Sequence, residues 1–266
     1  SPFVFVRPHM NHTFDVVDQK VSEAEFFLRK MVEAGSDVFS FQCYLSAYLA
    51  AARTSTLALQ HFKHLEGFDV WYVVHQRKLK ADRLAKFFLD LRNDHLHGGP
   101  YPVAGGSFRG GKALYHFPEV PHSSEYQSAD IVTACRNYFV GILEVIYDCY
   151  CVLGVQIDPQ QHYTKEHFAA QGRTIDDAEI EVCGWVCTSF IAEGLEVDDR
   201  WLELRGQVGR CGINHLFKSY LGKVTPQPIE PEHYQDFDFT PEEKGWLHLP
   251  AGYTSIEEYL ADLGAK

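Results

Sequence analysis

Residues 71–99 read WYVVHQRKLKADRLAKFFLDLRNDHLHGG, and their pattern decides the fold. Trp71, Leu79, Leu84, Phe87, Phe88 and Leu91 recur at helical spacing, so one face is apolar and the rest carries charge. The spacing predicts a single helix over 69–97. Gly98-Gly99-Pro100 ends it, because glycine tolerates a left-handed cap and proline cannot continue the hydrogen-bond ladder.

Working outward, residues 18–34 place Val21, Ala24, Phe27, Leu28 and Met31 on one helical face, stopped by Gly35 and Ser36. Residues 37–65 form a longer helix with a wide stripe of Phe41, Tyr44, Leu45, Tyr48, Leu49 and Ala52, as suits a helix packed on more than one side. Its run Ser46, Ala47, Ala50, Ala51 and Ala52 lets a neighbouring helix approach closely. A fourth helix covers about 127–153 and ends at Gly154. Long helices with short links describe an all-α, antiparallel four-helix bundle over residues 1–158. The exception is the Gly- and Pro-rich link 100–126, where FRGGKALYHF (108–117) reads as a short β-hairpin. Residues 159–266 follow as an acidic, mainly helical extension, with helices at 175–194 and 197–222. The extended segment TPQPIEPEHYQDFDFTPEE comes next, and the amphipathic SIEEYLADL (255–263) closes the chain.

Composition narrows the function classes. The chain has 266 residues and a net charge of −12, which argues against a general nucleic-acid coat protein. Residues 1–160 hold 15 Lys+Arg against 17 Asp+Glu, and residues 161–266 hold 9 against 19, so the acidity belongs to the C-terminal part. A local basic stripe, Arg77, Lys78, Lys80, Arg83, Lys86 and Arg92, is either a phosphate-binding surface or a solvated helix face. No apolar run approaches the roughly 18–20 residues that span a bilayer. The opening FVFVRPHMNHTFDVV lacks the form of a signal peptide. These features point to a cytoplasmic protein without a membrane partner. Seven cysteines, mostly in apolar sequence, read as free thiols. Neither the Cys183/Cys187 nor the Cys149/Cys151 spacing makes a paired zinc knuckle.

The chemistry concentrates at LDLRNDHLHGG. Arg92, Asn93, His95 and His97 crowd two turns before the glycine pair, offering a fixed cation, an amide and imidazoles that titrate near neutrality. Such a set suits phosphodiester chemistry: imidazole moves protons while guanidinium holds the phosphate as charge builds. In RNA the 2′-hydroxyl is a built-in nucleophile, so no metal or other cofactor is required. A metal set of His95 and His97 with His61 or His64 lacks supporting carboxylates. In the bland alternative, Arg92 pairs with Asp90 or Asp94 and His97 caps the helix. Arg53, mid-helix among alanines, either reaches the same cleft or pairs with a carboxylate inside the bundle. Trp185, Phe190, Leu195 and Trp201 read as core or interface before a base-stacking platform.

An Arg, a polar residue, three further residues and a His at the end of the third helix resembles the active-site motif of HEPN domains. SEAEFFLRKM, FQCYLSAYLAAARTSTLALQ and residues 71–99 extend the resemblance to a bacterial HEPN-like group over about residues 18–155. The resemblance implies a metal-independent endoribonuclease, often a toxin or defence effector. It also implies a homodimer that joins both motifs at one cleft and is sometimes held by an antitoxin or regulatory protein. Arg92 would bind phosphate, Asn93 orient it and His97 act as acid/base, with His95 and Arg53 as auxiliaries and Arg77, Lys78, Lys80, Arg83 and Lys86 meeting the RNA backbone. The competing reading is a non-catalytic HEPN-type dimeric module that binds a protein partner or a nucleotide. A third is a plain structural helical protein.

Overall fold

The computed structural model describes residues 14–96, 101–118, 126, 129–186, 196–209 and 211–225. The residues are mostly helical, with one two-stranded antiparallel sheet. His97, the closing segment 255–263, the extended segment 226–243, Cys187, Phe190 and Leu195 lie outside the described residues.

Helix α1 (Asp15–Ala34) buries Val17, Val21, Ala24, Leu28 and Met31, spaced alternately four and three apart. Gly35, at φ +54°, turns the chain, and Asp37 caps α2 (Val38–Ala58) by accepting the Ser40 N–H at 3.1 Å. Phe41, Leu45, Tyr48, Leu49 and Ala52 of α2 are buried, and α1 lies along α2 over most of its length. The expected helix 37–65 tightens into a 3-10 turn at Leu59–Phe62.

The helix expected over 69–97 is two helices, α3 (Phe68–Ala81) and α4 (Arg83–Leu96). Asp82 separates them. Its backbone is extended (φ −74°, ψ 116°), and its carboxylate accepts the N–H groups of Leu84 at 2.8 Å and Ala85 at 3.2 Å. Aspartate prefers such a capping role to a helix interior, and this preference overrides the continuous apolar periodicity. Trp71, Phe87, Phe88 and Leu91 are buried as expected, while Leu79 and Leu84 are half-buried against the same core.

The hairpin joins β1 (Gly105–Arg109) to β2 (Lys112–His116) through Gly110 and Gly111, both at positive φ, as a two-residue turn of this hand requires. Tyr115 anchors it: its ring packs on Phe41 at 4.0 Å and its hydroxyl donates to the Gly35 carbonyl at 2.9 Å.

Helix α5 (Ile131–Ile157) starts later than expected, at the Asp130 cap, and runs past Gly154 to Ile157. Gly154 ends nothing; it makes room. A Cβ there would come within 2.1 Å of the Gln161 side chain, which is packed over that turn. By length and composition α5 could cross a membrane, which corrects the sequence expectation that no run approaches that size; half of its apolar window is buried in this fold.

After α5, Asp158 caps α6 (Pro159–His162) and accepts the Tyr150 hydroxyl. Helices α7 (Lys165–Ala170), α8 (Ile175–Cys183) and α9 (Val197–Gln207) surround a smaller core of Tyr163, Phe168, Ile175, Ala178, Val182, Trp201, Leu204 and Val208. The helix expected over 175–194 stops at Gly184, in the left-handed conformation. The one expected over 197–222 breaks after Gln207, where Val208 is extended. The chain then returns to the first core through Cys211, Ile213, Leu216 and Phe217, in α10 (Asn214–Leu216) and the π-turn Phe217–Leu221. In the smaller core, Arg200 is buried but fully engaged by Glu179 at 2.8 and 3.0 Å and by Asp176 at 2.6 Å.

Two stability predictions follow from α5. Gly141→Ala, where an added Cβ meets nothing within 4 Å, raises stability by about 1 kcal/mol through helix propensity. Gly154→Ala lowers it by about 1–3 kcal/mol because Gln161 is itself buried. Denaturant midpoints of both variants check the opposite signs. Burial also pushes the Asp158 carboxyl up to about 6, against a usual 3.8. The fold therefore favours its neutral form, and this contribution is complete below pH 4 and is lost as pH rises to about 6. Wild type should lose about 2–3 kcal/mol more than Asp158→Asn between pH 4 and 7. Equal losses in urea titrations would overturn the assignment.

Candidate functional site

Helix α4 presents its chemistry by turning Leu91 into the core, which leaves Arg92, Asn93 and His95 half-buried and Asp94 exposed. The Arg92 Nη1 donates to Asn93 Oδ1 at 3.1 Å. Its Nε is buried with no hydrogen-bond partner among the described residues. No ion pair joins Arg92 to Asp90 or Asp94 among the described residues, so the charge-pairing alternative does not account for it. The Arg92–Asn93 pair is a guanidinium held by a neutral amide, which leaves its charge available to an anion.

His95 points back at α2. Its Nε2 lies 2.9 Å from Ser46 Oγ, and its Nδ1 is buried without a partner among the described residues. The Tyr101 ring, just beyond the helix, sits 5.4 Å from the imidazole. Ser46 and Tyr101 are the contacts that sequence reasoning missed. Ser46 reads as one more small residue in an alanine-rich helix, and only the packing of α2 on α4 reveals that its hydroxyl meets a histidine 49 positions away.

Arg53 stands seven residues after Ser46, two turns along the same side of α2. It does not pair with a carboxylate among the described residues. Its Nη1 donates to Thr56 Oγ1 at 3.4 Å. Its charge is felt by Tyr138, whose hydroxyl burial pushes up to about 12 while Arg53 opposes the rise. No hydrogen-bonded residue is shared by Arg53 and Arg92 among the described residues.

The basic stripe is divided by the break at Asp82. Arg77, Lys78 and Lys80 are exposed on α3, and Arg83 and Lys86 are exposed on α4. Arg83 and Arg92 are nine residues apart, two and a half turns, so they occupy opposite sides of α4. The run of cations therefore does not lead along one face into Arg92.

No group of three His, Cys, Asp or Glu side chains converges on a cation position among the described residues. His61 and His64 line an exposed recess with Val16, Leu57 and Lys63 instead of joining His95. Cys135, Cys149 and Cys211 are buried, and burial pushes all three thiols well above their usual range, so they are packing groups rather than nucleophiles. The expected aromatic strip separates: Trp201 is buried in the smaller core and Trp185 is exposed.

The Ser46–His95 contact makes a specific prediction. Ser46→Ala and His95→Ala should show a coupling of about 0.5–1.5 kcal/mol in a double-mutant cycle on urea stability. Additive effects would mean that the two side chains do not share a hydrogen bond.

Comparison of the chain with known protein families, curated proteins and solved structures finds no match.

Proposed function

We propose that α1, α2, α3–α4 and α5 form an antiparallel four-helix bundle of the HEPN type, and that the end of α4 cleaves RNA without a metal ion. The observation that carries this reading is the Arg92–Asn93 pair: a half-buried guanidinium that meets a neutral amide and no carboxylate among the described residues. With no carboxylate among the described residues to compete, the guanidinium is left to offer a phosphate the two-point geometry that arginine provides.

In the proposed reaction, the ribose 2′-oxygen attacks the adjacent phosphorus and loses its proton to His97. The bond from phosphorus to the 5′-oxygen breaks, and that oxygen leaves with a proton. The products are a 2′,3′-cyclic phosphate and a 5′-hydroxyl end. Arg92 neutralises the charge that builds on the non-bridging oxygens, and Asn93 holds the guanidinium in place. His95, seated on Ser46, is the second imidazole and the natural source of the leaving group's proton.

The test is incubation of labelled total RNA and tRNA in EDTA with wild type, Arg92→Ala and His97→Ala. Wild type should cleave, and each variant should lose about 10²–10⁴-fold in rate with an unchanged melting curve. Variants that cut as fast as wild type would overturn the site. RNA left intact by wild type would overturn the activity and leave the non-catalytic binding module.

A further inference from the structure

Tyr101 is 48% exposed although the chain around it is fixed. Pro102, next to it, is buried, Val103 packs against the larger core, and the Ala104 N–H donates to the His116 carbonyl at 2.9 Å. The ring itself packs on His95, with centroids 5.4 Å apart and planes inclined at 42°. His95 is in turn seated on Ser46 of α2 at 2.9 Å. Tyr101 is thus positioned twice, by the backbone that anchors it and by the imidazole that it touches, while about half of its surface stays open. A tyrosine has only two side-chain torsions, so a ring held in this way offers a large flat surface at little ordering cost.

Single exposed aromatics are ordinary on a protein surface. Phe26, Phe39, Phe108 and Trp185 are exposed too, but among the described residues Tyr101 is the one whose ring meets His95. Its place is what sets it apart. Arg92 and His95 are three residues apart on α4 and therefore neighbours on the helix surface. The guanidinium, the imidazole and the phenol ring follow one another within the reach of one nucleotide, which carries a phosphate and, one sugar away, a flat base. Cations suit the phosphate, and an uncharged aromatic face suits the base, because every base has a π-face that stacks. Inside a duplex both faces of a base are covered by its neighbours, so only an unpaired base can lie on such a ring.

We propose that Tyr101 is a base-stacking residue: the base of the nucleotide whose phosphate Arg92 holds lies flat on the open side of its ring, which selects an unpaired base at that position. The inference rests on the reading of α4 as an RNA site and adds to it a specificity-determining residue outside the stretch Arg92–His97. The phenol hydroxyl has no part in stacking, so phenylalanine serves equally.

Fluorescence anisotropy of the full chain with end-labelled strands of about ten nucleotides tests the inference without any cleavage. The strands carry 2′-fluorine in place of the attacking oxygen. One bears adenine at every position, and the other is abasic throughout with the same phosphates. Tyr101→Ala should bind the adenine strand about tenfold to a hundredfold more weakly than wild type, and the abasic strand equally well. Tyr101→Phe should match wild type on both. Arg92→Ala should weaken both strands by the same factor, because both keep their phosphates. Equal binding of the adenine strand by wild type and Tyr101→Ala would overturn the inference. So would a Tyr101→Ala variant that loses both strands alike, or a Tyr101→Phe variant that behaves as Tyr101→Ala does, since the residue would then only shape the site. If Arg92→Ala still weakens both strands in those cases, the phosphate site stands and the stacking role alone falls. A wild type that binds neither strand would overturn both. Undiminished binding of the abasic strand also shows that Tyr101→Ala is folded.

Discussion

Helix α5 imposes the constraint on which the rest of the molecule depends. Its buried side chains, from Ile131 and Phe139 through Ile146 and Leu153 to Ile157, recur at helical spacing and fill one broad face of the 27-residue helix. In water so apolar a helix is tolerable only when covered, and the neighbouring elements supply that cover: α1, α2, α3, α4, β2, α6 and the terminal π-turn all touch it. The return of Ile213, Leu216 and Phe217 to this core ties the late sequence to the early sequence. The aromatic contacts Phe88–Tyr138, Tyr147–Phe217 and Tyr150–Phe217 lie along the same axis.

Burial alone would allow the surrounding helices to slide and rotate. A small number of polar contacts remove that freedom. The Tyr48 hydroxyl donates to the Cys135 carbonyl at 2.7 Å, which sets α2 on α5. Asp148 receives both Trp71 and His75, which sets α3 on α5. Phe14 N–H meets the Ile157 carbonyl, which sets the start of α1 at the end of α5. Buried polar groups with only one good arrangement specify a single packing, because any other leaves a donor or acceptor unsatisfied.

The same logic reaches the candidate site. His95 is oriented by Ser46 because α2 and α4 pack side by side, and Arg92 is kept partly inside because Leu91 beside it belongs to the core. Eight buried side-chain polar atoms lack a hydrogen-bond partner among the described residues, and two of them, Arg92 Nε and His95 Nδ1, lie three residues apart near the end of α4. Two such groups at one helix end suit a site that completes its hydrogen bonds with something from outside.

Helical class, the apolar stripes of α1, α2 and α4, and the glycine turn of the hairpin were legible in the sequence, because each rests on interactions between residues close along the chain. So was the concentration of Arg92, Asn93 and His95 near a helix end. The break at Asp82 was not, because its side-chain cap competes with a periodicity that continues unaltered through it. Nor was the persistence of α5 beyond Gly154, a glycine that reads as a terminator and in fact admits Gln161. The partners of Arg53 and His95, the opposite placement of Arg83 and Arg92, and the exposure of Tyr101 were decided only by tertiary structure. Local sequence determines which residues share a helix face, whereas the packing of one helix on another determines which face is covered and which polar atoms meet.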